Sequence, residues 1–223
     1  DGQNRRRDLG RQATYRAEPA GGVEVTGAGE LIARKSGTAV VRVSAGGGQA
    51  EVSVLVRDGE THRPVDFTND INPLLTRLGC NGGSCHGKST GRGGFRLSLF
   101  GHHPEWDFEW IAQGGRGRRI FPAAPDQSLL LRKPTMQMPH GGGRRMAADS
   151  DAYRLLRRWV SEGAGWGERE AARLLRIEVF PAEATLRSEQ SQQLAVTAVF
   201  EDGTTSDVTR VVELRTNDSS LVE

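Results

Sequence analysis

The chain has no long run of apolar residues, and its mean hydropathy is -0.52. A helix that crosses a bilayer needs about 20 consecutive apolar residues, so the sequence excludes a membrane span within this segment. The formal net charge is only +2 at pH 7. This small excess excludes the strong overall basicity of a typical polyanion-binding protein.

Lysine is also scarce, because the only lysines are Lys35, Lys88 and Lys133 and the other basic residues are arginines. We interpret this bias as a sign of a GC-rich genome and predict no nucleic-acid partner. The sequence also lacks a Ser-His-Asp arrangement with motif context, a recognisable pair of catalytic carboxylates and a phosphate-binding loop after a strand. The glycine-rich residues 91–94 resemble a turn. We therefore expect no catalysis by this segment alone.

Both cysteines lie within eight residues, and a histidine follows the second directly: Cys80, Cys85 and His86 form the pattern C-x4-C-H. In c-type cytochromes the usual pattern is C-x2-C-H, in which two thiols bond covalently to haem and the histidine binds the iron. Gly82 and Gly83 can adopt backbone conformations closed to other residues and so fold two extra residues into the loop. The motif predicts one covalently bound haem c, with His86 as its proximal ligand.

Two other interpretations of the motif stay open. A disulfide between Cys80 and Cys85 is sterically feasible, although it leaves His86 and the glycines unexplained. A zinc site formed by Cys80, Cys85, His86 and a further histidine has an acceptable ligand set, although the ligands do not form the usual paired knuckles.

A second axial ligand is expected within residues 133–143. His140 is favoured because a rigid proline precedes it and three glycines follow it, so its loop can approach a flat macrocycle closely. Met138 is the alternative, and Met136 is less favoured. The choice matters because methionine raises the reduction potential relative to histidine. The remaining histidines are expected on the surface: His62, His102 and His103.

Arginines are clustered between His86 and His140 and shortly after His140. The members of this cluster are Arg116, Arg118, Arg119, Arg144 and Arg145. Arg118 and Arg119 are candidate haem-binding residues, because guanidinium groups can neutralise haem propionates or an acidic redox partner. A solvated basic face explains the cluster equally well. Similarly, Trp106, Trp110 and Trp159 either line the haem pocket or are core residues.

Hydrophobic periodicity predicts both helices and strands. The apolar residues Ile71, Leu74, Leu75 and Leu78 are spaced as on one helix face, with Thr68 or Asn69 as N-cap. A second helix is predicted from Ser150 to Gly163, with Leu155, Leu156, Trp159 and Val160 as its apolar stripe. Alternating apolar residues at 50–56, 175–179 and 194–200 predict half-buried strands in both flanks.

The segment from about Val65 to Gly165 resembles the cytochrome c-like domains of large extracytoplasmic planctomycete proteins. The resemblance is carried by residues 65–67, 78–82, 85–87, 94–99, 118–122, 128–131 and 139–143. It implies haem binding and a mainly α-helical domain. In such proteins this domain is often joined to bacterial Ig-like repeats.

Both flanks resemble parts of such Ig-like repeats. Residues 29–43 resemble the second half of a repeat, and 177–203 resemble the first half. The stretch 7–16 also aligns with 206–215, so the flanks overlap in about one strand. This overlap suggests either a fragment of a tandem array or two flanks that complement each other, within or between chains, and cover exposed strand edges.

The expected architecture is an α+β multidomain chain, in which β-strand segments of Ig-like type flank the cytochrome domain. The predicted segments are a partial Ig-like repeat (1–58), a linker (59–64), the haem domain (65–166), a linker (167–173) and a second partial repeat (174–223).

Covalent haem attachment and Ig-like modules both indicate an extracytoplasmic location. Since the chain starts at Asp1 without a methionine, we expect that an upstream segment has been removed or excluded. The predicted function is one-electron transfer, with a redox partner that the sequence does not identify. The alternatives are a haem-based gas sensor and a structural scaffold that carries a Cys80–Cys85 disulfide.

Overall fold

The computed structural model describes residues 8–57, 63–167 and 172–221. His62 and large parts of both predicted linkers lie outside these residues. The chain forms two compact units, each built from two stretches of sequence. The first unit contains Asp1–Arg63 and Val179–Ala195, and the second contains Pro64–Glu178 and Val196–Glu223. The division into five segments stays a prediction.

The first unit is built from β-strands. These are β1 (Thr14–Glu18), β2 (Val23–Val25), β3 (Leu31–Ala33), β4 (Gly37–Ala45) and β5 (Gly48–Val56). An antiparallel sheet has the order β1-β4-β5, and β2 and β3 form a separate hairpin. Val23, Ala39 and Val56 form its small core. The alternating apolar residues at 50–56 thus lie in a strand, as predicted.

Four short α-helices lie in the described part of the second unit. They are α1 (Asn72–Arg77), α2 (Pro104–Phe108), α3 (Leu129–Arg132) and α4 (Asp151–Ser161). Single π-helical turns at Phe67–Ile71 and Glu109–Gln113 extend α1 and α2. A third sheet has the order β6-β7-β8, and its strands are Leu174–Phe180, Ala195–Phe200 and Thr205–Asp207.

The expectation of a mainly α-helical cytochrome c-like domain is wrong. The described residues form three small sheets, and only 22% of these residues are helical. Between α1 and α4 the backbone runs mostly through turns, and α2 and α3 have only five and four residues. Glycine and proline explain this, since the chain has 29 and 9 of them and both disfavour helix interiors.

The two predicted helices differ in how well the sequence located them. In α4 the prediction is confirmed: the Ser150 hydroxyl accepts a hydrogen bond from the Tyr153 N–H, and the helix ends before Gly163. In α1 the predicted N-cap is wrong. Asp66 caps the preceding π-helical turn by accepting a hydrogen bond from the Asn69 N–H.

One hydrophobic core lies beneath the turns of the second unit. Its centre is Phe67, which is fully buried and packs against the rings of Phe108, Trp159 and Trp166 at centroid distances of 5.3, 5.6 and 5.7 Å. The Trp159 indole N–H donates to the Gly165 carbonyl at 2.8 Å. Trp159 is therefore a core residue with its polar group satisfied.

Candidate functional site

The Cys80–His86 loop begins directly after α1. The Cys80 N–H donates to the Leu75 carbonyl at 2.9 Å, which ties the start of the loop to the last turn of the helix. Within the loop, the His86 N–H donates to the Cys80 carbonyl at 3.0 Å. These backbone bonds close the seven residues into a compact turn and hold the motif's three reactive side chains on one short segment.

Gly87 is the glycine that this turn requires. A Cβ atom at position 87 would lie 1.9 Å from the Asn81 carbonyl oxygen, far inside van der Waals contact. Neither Gly82 nor Gly83, which the sequence analysis invoked, has a positive φ. Asn81 is fully buried, and its Nδ2 donates to Thr76 Oγ1 at 2.8 Å. The loop is thus folded tightly around Asn81.

The His86 ring is oriented by the segment that follows the loop. Its Nδ1 lies 3.1 Å from the Phe95 carbonyl oxygen, so Nδ1–H is the donor and Nε2 carries the lone pair. The Leu97 N–H returns a bond to the His86 carbonyl at 2.8 Å. Burial, with a smaller effect of His140, lowers the pKa of His86 despite the opposing Phe95 bond. The imidazole is therefore favoured in the neutral form that binds metals.

His140 is oriented in the same way by its own loop. Its Nδ1 donates to the Gly143 carbonyl at 2.9 Å, which again leaves the lone pair on Nε2. The ring folds back over the backbone of Gly142. A Cβ atom there would lie 2.9 Å from His140 Cε1, so the absence of a side chain at Gly142 makes room for the ring.

The structure brings His86 and His140 together. Their ring centroids are 6.3 Å apart, and the ring planes differ by 17°. Two imidazole nitrogens, each about 2 Å from one metal ion, place their ring centres about 6 Å apart. The observed separation of the ring centroids is close to this value.

Both cysteines have free thiols and lie beside this pair. Cys85 is buried, and Arg145 Nη2 donates to its Sγ at 3.5 Å. Cys80 is half-buried, and burial raises the pKa of its thiol to about 12, against the opposing effect of Arg145. Cys80 is therefore an uncharged thiol at neutral pH.

The side chains of both cysteines, His86 and His140 line one cavity, whose volume is about 350 Å³. This volume lies in the range of small-molecule sites. Six leucines line the cavity: Leu75, Leu78, Leu97, Leu129, Leu130 and Leu156. Five cations also line it: Arg92, Arg118, Arg119, Lys133 and Arg145. None of the described lining residues is acidic, so the cavity suits an apolar ligand that carries negative groups.

Arg119 is the most buried of these cations, with 6% of its surface exposed. Its guanidinium donates to the carbonyls of Trp110, Gly114 and Gly94 at 2.9, 2.6 and 3.2 Å, and it lies 4.4 Å from the Phe95 ring centroid. Burial lowers the pKa of Arg119. Within the described ranges no carboxylate pairs with it, so a buried positive charge faces the cavity region without a counter-ion.

The residues present fit a haem group. Haem is an apolar macrocycle with two carboxylate side chains, and it needs one or two axial ligands from the protein. The cavity offers six leucines, five cations, two imidazoles and two thiols, and no acidic side chain lines it within the described ranges. A tetrahedral zinc site needs four protein ligands. The described part of the chain contains no group of three or more His, Cys, Asp or Glu side chains placed to hold an ion.

Other candidates from the sequence lie elsewhere. Met138 is half-buried and Met136 is exposed, and neither lines the cavity. Trp106 and Trp110 are largely exposed, and Trp159 belongs to the core. The tryptophans therefore do not line the cavity either.

Three further residues contribute to the site without a clear signal in the sequence. Phe95 orients His86 through its carbonyl, while Arg92 and Lys133 line the cavity. Phe95 lies within the motif phrase 94–99, but a sequence pattern cannot reveal a contact made by a backbone carbonyl. Arg92 and Lys133 carried no signal, because single cations in polar segments are usually solvated.

Comparison of the chain with protein-family models, curated proteins and solved structures finds no match. Among the described residues, no helix combines the length and the apolar character that a membrane crossing requires.

Proposed function

We propose that this chain is a c-type cytochrome module that transfers single electrons. In this proposal one haem is held covalently by Cys80 and Cys85, with His86 as proximal and His140 as distal ligand. The observation that carries the proposal is the pair of imidazole rings, whose centroids are 6.3 Å apart. Both rings have their Nδ1–H bonded to a backbone carbonyl, as is usual for metal-binding histidines.

The cavity supports the same function. Six leucines line it, and apolar surroundings lower the local dielectric, which favours the less charged state of a bound centre. Arg118 and Arg119 are proposed to bind the haem carboxylates, because a buried arginine without an acidic partner gains most from an anionic ligand. When bound, haem supplies reversible one-electron chemistry. The protein's part is to hold both axial ligands and limit solvent access.

Two histidine ligands favour electron transfer over gas binding. A gas sensor needs an open or easily vacated axial position. Here the Gly143 carbonyl accepts a hydrogen bond from His140 Nδ1, which restrains the ring, and the ring centroid lies 6.3 Å from that of His86. We therefore propose a low-potential centre with both positions filled, since histidine gives a lower potential than methionine.

The proposal includes an extracytoplasmic location, because covalent haem attachment takes place after export. It also includes a kinship with the cytochrome c-like domains of planctomycete proteins, supported by the motif phrases that flank the two histidines. The redox partner is proposed to be another domain or protein with an acidic contact surface, because five cations line the cavity.

Two alanine variants test the ligand assignment. Replacement of His140 by alanine removes the proposed distal ligand, so the reduced protein should bind carbon monoxide and its reduction potential should rise. Replacement of Met138 by alanine is the matched control and should change neither property. Spectroelectrochemistry and carbon monoxide titration measure both. Carbon monoxide binding by the unmodified protein, or a response confined to the Met138 variant, would contradict the proposal.

A further inference from the structure

The surface of α2 and the π-helical turn after it carries two exposed tryptophans that the proposed function does not use. Trp106 is 55% exposed and Trp110 is 41% exposed. They are four residues apart on consecutive helical turns, so they lie on the same side. Tryptophans are rarely left this exposed, and exposed apolar surface of this kind marks interaction sites.

Two glutamates lie on the same face. Glu105 and Glu109 each precede one of the tryptophans and are exposed, whereas Asp107 and Ile111 on the opposite side are buried. No salt bridge within the described ranges includes Glu105 or Glu109. The acid–aromatic face, defined as Glu105, Trp106, Glu109 and Trp110, therefore carries two exposed carboxylates on a chain whose net charge is +2.

The aromatic ring that packs against Trp106 does not cover the acid–aromatic face. His103 stacks against Trp106 with a centroid distance of 4.3 Å and a plane angle of 28°. The Trp106 side chain nevertheless keeps more than half of its surface exposed. The stack holds the indole in a defined orientation, so part of the entropy cost of ordering it on binding is already met.

From this geometry we infer that the acid–aromatic face docks a partner protein through arginine or lysine side chains. Indole faces attract cations more strongly than other aromatic rings do, and the adjacent carboxylates add ion pairs at the same place. Tryptophan and arginine are also the residues that most often dominate interface energies. A neutral sugar could stack on the indoles but would leave both carboxylates without an oppositely charged group.

A short oligoarginine peptide is a suitable probe for the full chain. Two-dimensional NMR can follow the four tryptophan indole N–H groups, and calorimetry gives the affinity. We expect the signals of Trp106 and Trp110 to shift, while those of the buried Trp159 and of Trp166 stay in place. Affinity should fall as ionic strength rises from about 0.01 M to about 0.15 M.

Two double variants locate the binding. We expect about a tenfold loss of peptide affinity in each of them. One variant combines Trp106→Ala with Trp110→Ala, and the other combines Glu105→Gln with Glu109→Gln. The matched controls, Phe121→Ala for an exposed aromatic residue and Glu183→Gln with Glu189→Gln for exposed acids, should change affinity by less than about twofold. Circular dichroism verifies that each variant is folded.

Several outcomes would overturn the inference. The first is an equal loss of peptide affinity in the control variants and in the face variants. The second is the absence of peptide binding at low ionic strength. The third is a higher affinity for neutral oligosaccharides than for the peptide. Concentration-dependent dimers that the face variants abolish and the peptide does not disrupt would assign the face to a second copy of the chain instead.

Discussion

At the scale of single residues, the orientation of two imidazoles depends on backbone groups close to each in sequence. His86 donates to a carbonyl nine residues later, and His140 donates to one only three residues later. Each bond fixes one tautomer and turns Nε2 away from the backbone. Residues that lack a side chain, such as Gly142, are therefore as important to the site as the ligands.

The change Gly142→Ala tests this dependence directly. The added Cβ would lie 2.9 Å from His140 Cε1, so the ring should be displaced from its position opposite His86. We expect a holoprotein that binds carbon monoxide when reduced, much as the His140→Ala variant does. Visible absorption with and without carbon monoxide provides the measurement.

Gly141→Ala is the control for this change. A Cβ at Gly141 meets nothing closer than Arg92 Nη2 at 3.9 Å, which is ordinary contact. This variant should keep the unmodified spectrum. Equal carbon monoxide binding by both alanine variants would show that the glycine at 142 has no special role.

At the scale of elements, the haem-motif loop is held by the close approach of Gly87 to Asn81. The change Gly87→Ala would place Cβ 1.9 Å from the Asn81 carbonyl oxygen, so the loop must open. We expect a loss of about 2 kcal/mol or more in the free energy of unfolding. The yield of covalently bound haem should fall as well.

Gly83→Ala is the matched control, because its nearest non-local atom is Leu99 Cδ1 at 3.9 Å. Denaturant unfolding and haem stain intensity compare the two variants. An unfolding free energy for Gly87→Ala that equals the control's would refute the close approach.

The turn Pro125–Gln127 is fastened to α4 by one carboxylate. Asp126 Oδ1 accepts hydrogen bonds from Arg157 Nε at 2.8 Å and from the Tyr153 hydroxyl at 2.6 Å. The Arg157 bond, followed by the Tyr153 bond, lowers the pKa of Asp126. A carboxyl whose pKa is lower in the folded state stabilises that state above its unfolded pKa, about 3.9, and loses this effect as pH falls through the folded value.

The variant Asp126→Asn should therefore be less stable than the unmodified protein at neutral pH, and the difference should shrink as pH falls below about 4. Urea unfolding at several pH values measures it. Asp149→Asn, an exposed acid in the segment before α4, is the control and should show a smaller difference at every pH. A difference that stays constant down to pH 3, roughly the lower end of the titration range, would count against the ionic link.

The sequence could predict some elements because their signals are local. The α4 helix has a serine cap and an apolar stripe, and both are present in the structure. The start of α1 could not be predicted in the same way. Asp66 caps a π-helical turn there, and its spacing differs from that of the α-helix assumed in the sequence pattern.

At the scale of the whole molecule, the cavity is assembled from segments that are far apart in the chain. Its cations come from Arg92, Arg118, Arg119, Lys133 and Arg145. A motif can suggest a ligand, but it cannot show that distant cations converge without any acid. The mainly helical architecture was wrong for a related reason: the resemblance rested on short motif phrases, and the glycine-rich chain between them forms turns.

The central claim is that Cys80, Cys85, His86 and His140 together hold one covalent haem. The most direct test is the pyridine haemochrome spectrum of protein matured in a host with a cytochrome c assembly system, recorded after denaturation and extraction. The account predicts a c-type spectrum that stays with the polypeptide, with one haem per chain, and that is lost when both cysteines are replaced by serine. A colourless protein, or haem that is removed by extraction, would contradict the account.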